Sequence, residues 1–126
     1  MSNFLNVVLC NNIGKDHCCA IKEIPQMRIW LDDLHPVPSG YEGAKSVNEA
    51  IALIVETENN GLEIELLDLD HDLGDYYVDG GDAIKLLDWL AERETFYPIK
   101  IHTSNPVGRA NMERMLARYW GAEYWY

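Results

Sequence analysis

The alternation of apolar and polar positions divides residues 28 to 120 into three repeats of a strand followed by a helix. Arg28-Ile29-Trp30-Leu31 is short and apolar and ends abruptly in Asp32-Asp33, after which His35-Pro36-Val37-Pro38-Ser39-Gly40 reads as a loop. Apolar residues then return at helical spacing. Val47, Ala50, Ile51, Ile54 and Val55 share one helical face, Ser46 and Glu49 make a capping box, and Asn59-Asn60-Gly61 ends the helix. The second strand spans Leu62 to Leu69, alternating with Glu63 and Glu65 before turning mostly apolar. Gly74 to Gly81 is a loop, and Ala83, Ile84, Leu86, Leu87, Leu90 and Ala91 form the second helical stripe, closed before Pro98. Ile99, Ile101 and Thr103 alternate with Lys100 and His102 in the third strand. Asn105-Pro106 opens the third helix as N-cap and first-turn proline, with Met112, Met115, Leu116 and Tyr119 as its apolar face.

Strands separated by helices pair in parallel, because parallel neighbours need a crossover connection. A layered α/β fold with a mainly parallel sheet follows. Ligands of such sheets bind beyond the carboxyl ends of the strands. Here those ends carry Asp32-Asp33, Asp70-His71-Asp72 and His102-Thr103-Ser104-Asn105. Ahead of this core, Phe4 to Cys10 and Cys18 to Ile24 read as a β-hairpin extension within residues 1 to 27. The tail from Trp120 to Tyr126 is aromatic enough to pack on the domain or on a partner, which makes residues 1 to 126 a single domain.

Composition narrows the function classes. The formal net charge is −11 with only 10 Lys and Arg, so an extended nucleic-acid surface is not expected. A small phosphate-bearing ligand stays compatible, because one divalent cation reverses the local sign of an acidic site. No apolar run reaches the roughly 20 residues of a membrane span. The amino-terminal residues lack the pattern of a secretory signal, and the adjacent Cys18-Cys19 suits no disulfide framework, so a cytoplasmic location is expected.

The candidate chemistry lies at the strand ends. Asp32, Asp33 and Asp70 are carboxylates of the kind that hold Mg²⁺ or Mn²⁺. Asp72 is a further ligand or base. In extended geometry Asp70 and Asp72 point to one side and His71 to the other, where it either binds ligand or is held by a backbone carbonyl. His102 is a natural acid or base at neutral pH, and Arg109, in the first turn of a helix, is placed to clamp phosphate with Ser104 and Asn105 nearby. Asp68 reads as an ordinary strand-face residue. Gly80-Gly81 is no dinucleotide fingerprint, and Cys10, Cys18 and Cys19 lack zinc-site partners.

Trp30-Leu31-Asp32-Asp33-Leu34-His35-Pro36-Val37-Pro38, Leu69-Asp70-His71-Asp72-Leu73-Gly74 and the run from Ile101 through Asn105-Pro106 to Arg109 and Met112 together resemble the cyclic-phosphate processing receiver-like domain family. The resemblance covers about residues 28 to 120. It implies a compact three-layer, receiver-like (Rossmann-like) fold and a role in processing cyclic phosphate ends or nucleotides. Against true response-regulator receivers the likeness is looser: Asp32-Asp33 and Asp70 match the acidic positions, and Thr103 or Ser104 the hydroxyl residue. The interval from Asp33 to Asp70 is short for the usual elements, and no Lys-Pro ends a final strand. The expected function is a metal-dependent phosphoesterase, or binder, for cyclic-phosphate nucleotides or RNA ends. Catalysis would fall to His102, Asp72 and Arg109, the metal to Asp32, Asp33 and Asp70, and ligand contacts to His71, Ser104, Asn105 and Arg109. The alternative is a non-catalytic receiver-like signalling or protein-interaction module, phosphorylated on Asp70. A second copy of the chain or another protein is an open partner.

Overall fold

The computed structural model describes Val7–Val8, Lys22–Glu23 and residues 26–121. Strands β1 (Val7–Val8) and β2 (Lys22–Glu23) pair antiparallel in a small sheet of their own. The rest of the expected hairpin and the tail beyond Gly121 lie outside the described residues.

The main sheet holds β3 (Gln26–Leu31), β4 (Glu42–Ala44), β5 (Glu63–Leu69) and β6 (Ile99–Ile101), in the order β4-β3-β5-β6, with every pairing parallel. Helices α1 (Val47–Asn59), α2 (Ala83–Arg93) and α3 (Pro106–Tyr119) follow β4, β5 and β6, and a 3-10 turn at Gly74–Val78 precedes α2. Strand β4 was not expected from the sequence. Its three residues, Glu42-Gly43-Ala44, carry no apolar alternation, and it exists because Ile29, Trp30 and Leu31 of β3 offer it a free edge. The connection from β3 to β4 runs through a loop without a helix, which explains the short interval between Asp33 and Asp70.

The period of two along each strand and the register between strands decide where the core lies. Ile29 pairs with Leu67 and Leu67 with Ile99, while Leu31 pairs with Leu69 and Leu69 with Ile101, so all six side chains share one face. They are buried in one cluster with Ala50 and Ile54 of α1, Leu86, Leu87 and Leu90 of α2, and Met112 and Leu116 of α3. Fully burying each large aliphatic side chain contributes about 1.5–3 kcal/mol, so Leu67→Ala, at the centre, is among the most damaging single changes available. Both crossovers, β4 to β5 and β5 to β6, move in the same direction across the sheet, so right-handed connections put α1 and α2 on the same face. Helix α3 packs against α2. Among the described residues the core is therefore two layers, and the expected third layer is not found there. The opposite face carries Arg28, Trp30, Asp68 and Lys100 and is polar.

Two stripe positions differ from expectation. Val55 is exposed, and Thr57 is buried instead with its hydroxyl donating to the Leu53 carbonyl at 2.7 Å. Tyr119 is also exposed, while Trp120, one residue on, turns inward against Phe96 and donates its indole N–H to the Tyr97 carbonyl at 2.8 Å. Helix α1 starts at Ser46, whose hydroxyl oxygen accepts from the Glu49 amide at 3.0 Å, and Glu49 in turn accepts from the Lys45 amide at 2.8 Å. Asp82 caps α2 through the Ile84 amide. No helix among the described residues is long and apolar enough to cross a membrane.

Candidate active site at the strand ends

Three backbone hydrogen bonds carry the parallel ladders one residue past the last strand positions. The Asp32 amide donates to the Ala44 carbonyl at 3.0 Å, the Asp70 amide to Leu31 at 2.9 Å and the His102 amide to Leu69 at 2.9 Å. Each residue after a buried apolar end is thus held at the same level as its neighbours on adjacent strands. One ligand atom each from Asp32, Asp70 and His102 falls within 4.8 Å of the others.

Asp32 is buried, and both of its carboxylate oxygens have partners. One oxygen accepts from the amides of Leu34 and His35 at 2.8 and 2.9 Å, and the other meets His35 Nδ1 and His102 Nε2, each at 2.9 Å. Burial alone would raise its pKa, but the two amides, His102 and His35 together hold it below the ordinary carboxylate value.

His102 has a carboxylate at each ring nitrogen, because Nδ1 lies 2.7 Å from Asp68 Oδ1. A neutral imidazole has one N–H, whereas an imidazolium satisfies both acceptors. Burial disfavours that charge, yet Asp68 and then Asp32 outweigh burial and raise the His102 pKa above its usual value. The ring also stacks on Trp30, with centroids 3.8 Å apart and planes within 6° of parallel. Such stacking favours a cationic ring and fixes its plane. Tyr41, in the loop before β4, donates to the other Asp68 oxygen at 3.2 Å and meets Trp30 edge-on. Asp68 is therefore no ordinary strand-face residue. It is buried because its face of β5 lies under Tyr41, Trp30 and His102. The sequence signal was present in the lone carboxylate of an otherwise apolar strand end, but its partners lie 27 and 34 positions away.

Asp70 is half-buried. Burial raises its carboxyl pKa, the Thr103 hydroxyl and the His71 amide lower it, and the charge of Asp32 raises it again, with a net upward shift. Of the two hydroxyl candidates, Thr103 reaches Asp70, while Ser104 is exposed.

The remaining expected residues are distributed differently. Asp33 does not join the group, and its carboxylate lies against the α-carbon of Gly74. Asp72 is largely exposed and pairs with His71 Nδ1 at 2.8 Å and the Asn105 side-chain amide at 3.0 Å, both of which hold its carboxyl below the ordinary range. His71 is buried between Asp72, Asp82 at 3.8 Å and the α-carbon of Gly108. Its carbonyl accepts from the Ala83 amide, so the residue ties the starts of α2 and α3 to the exit of β5. Asn105 caps α3 by accepting from the amides of Val107 and Gly108, each at 3.0 Å. Arg109 donates to the Ile101 carbonyl at 3.0 Å and lies 3.5 Å from Glu113, so its guanidinium is held between the end of β6 and the next turn of α3. Sequence reasoning did not single out Trp30, Tyr41 or Asp68 for the site, because each acts through contacts made by folding.

Comparison with known proteins gives one family. The model of the cyclic-phosphate processing receiver domain matches residues 27–118. No curated protein and no solved structure matches the chain.

Proposed function

Because this chain belongs to the cyclic-phosphate processing receiver domain family, we propose that it is a metal-dependent phosphoesterase that opens a cyclic phosphate on small nucleotides or RNA ends. The observation that carries the reading is the meeting of Asp32, Asp70 and His102 at one sheet edge. Asp70 supports a cation there, since its ionised form is opposed by burial and by the neighbouring charge of Asp32. Two carboxylates suit Mg²⁺ or Mn²⁺. Bound there, the ion would polarise the phosphoryl oxygens.

The chain's own groups divide the remaining work. Asp32 and Asp70 would hold the cation, with Asp32 kept ionised by the Leu34 and His35 amides. His102, charged between Asp68 and Asp32, is the acid: as water adds to phosphorus and the ring P–O bond breaks, the departing oxygen takes the His102 proton, and the proton lost by the attacking water restores the charged imidazole. Asp68 and Trp30 are positioning residues that fix the plane and charge of that imidazole. Arg109 reaches a phosphate only after leaving the Ile101 carbonyl.

The test is phosphorus NMR of purified protein with Mn²⁺ and a 2′,3′-cyclic nucleotide. A new monoester resonance, lost in Asp70→Asn and His102→Ala, is expected. Absence of turnover across a panel of cyclic phosphates sinks the reading. The Thr103 hydroxyl on a half-exposed Asp70 favours a second reading, in which Asp70 accepts a phosphoryl group as in signalling receivers. Incubation with a small phosphodonor and Mg²⁺, followed by intact mass, separates the two, since only the second gives a stable adduct at Asp70.

A further inference from the structure

A cavity of about 390 Å³ opens beside Asp32, between the loop that follows β3 and the start of α1. Its size is at the small end of ligand pockets, enough for one ring system with a sugar. Leu34, Pro36 and Val37 line one side, and Lys45 and Glu49 line the other. Leu34 and Val37 are 76% and 47% exposed, an arrangement that leaves apolar surface in water unless something planar covers it. Val37 is seated on Gly43, where a Cβ would collide with it, so this wall is formed by close backbone approach. His35 also lines the cavity. Its side chain is 65% exposed, yet its Nδ1 is held by the same Asp32 oxygen that meets His102 Nε2.

We propose that this pocket binds the base of a nucleoside cyclic phosphate, with the base against His35, Leu34 and Val37 and its polar edge toward Lys45 and Glu49. The assignment rests on the phosphoesterase reading and adds to it the place where the base is held. Asp32 is what joins the two regions. It belongs to the group with Asp70 and His102 and also lines this pocket, so a ligand held at that group has the pocket beside it. The walls suit a heteroaromatic ring because apolar groups and an exposed imidazole cover its faces, while the ammonium and the carboxylate meet acceptors and donors on its rim. A single base-stacking contact of this kind corresponds to a preference of about tenfold.

Two measurements test the proposal. The first compares kcat/KM for a 2′,3′-cyclic nucleotide with that for ethylene phosphate, a cyclic diester without a base, in the wild type and in Val37→Asp. The nucleotide should be preferred about tenfold, and the variant should lose most of that preference. Val37 is half-exposed, and unchanged thermal unfolding confirms that the variant folds. The second measurement needs no phosphate chemistry: an NMR titration with uridine and guanosine, reading the Val37 methyl and His35 ring signals. Shifts at these residues without turnover of any ester uphold the pocket and reject the phosphoesterase reading. Turnover with no preference for the nucleotide and no shifts overturns the pocket and leaves the enzyme, and neither shifts nor turnover overturns both.

Discussion

Replacing Asp68 by asparagine removes a negative charge from His102 while leaving an oxygen of similar reach in place. The wild-type contact is short, 2.7 Å from His102 Nδ1, and the two side chains are 17% and 4% exposed, so solvent screens it little. A hydrogen bond to a charged partner contributes about 1.5–3 kcal/mol and a neutral one about 0.5–1.5 kcal/mol, which puts the loss near 1–1.5 kcal/mol. The sign of the pH dependence follows from His102. Burial lowers its pKa, but Asp68 and Asp32 more than offset this, so the folded value lies above the ordinary 6.5. Stability from the charged ring is thus complete below pH 6.5 and is lost as the pH rises through the folded value. Urea unfolding of wild type and Asp68→Asn across pH 5.5 to 9 should show the full gap near pH 6, narrowing upward, with unchanged denaturant slope. The Cε1 proton resonance of His102 should titrate at lower pH in the variant. An unchanged His102 midpoint, or a gap that stays constant with pH, refutes the charged-histidine account of the site.

Other changes probe the same frame. Asp70→Asn should stabilise the apo protein by about 1 kcal/mol at pH 7 while abolishing divalent-cation binding by calorimetry; because the folded Asp70 pKa is raised, its ionisation costs stability as the pH climbs above the ordinary 3.8, so the gain should shrink in acid. Gly108→Ala sits inside α3, where the exchange normally stabilises by up to about 1 kcal/mol, but a Cβ there would press on the His71 ring, so thermal unfolding should instead show a loss of about 1–3 kcal/mol. Asn105→Ala should cost about 1–2 kcal/mol in chemical denaturation, since it removes the cap of Val107 and Gly108 together with the Asp72 contact.

Periodicity and end signals are local, and they located three of the four main-sheet strands and all three helices. Ser46 and Asn105 act as the caps their positions imply, because capping is settled within a few residues of chain. The same local pattern carried Asp32, Asp70 and His102 to the carboxyl edge of a parallel sheet, and parallel pairing alone requires those ends to be neighbours. Strand β4 was illegible, since Glu42-Gly43-Ala44 becomes a strand only beside the edge of β3. Asp33 could not be separated from Asp32 by reading, because which of two adjacent carboxylates faces the crevice depends on how the chain leaves its strand.

By itself, then, the sequence determined the order of elements, the sheet edge that bears the chemistry and the residue types delivered there, all consequences of short-range pattern and of the rule that parallel strands end together. Tertiary structure alone decided that His102 is gripped by Asp68 and Asp32 and stacked on Trp30, that His71 serves as a fastening between helices, and that Arg109 is held by the Ile101 carbonyl and Glu113. The physical reason is that a buried charge is settled by whatever compensates it, and here the compensating groups lie dozens of residues away along the chain and a few ångströms away in space.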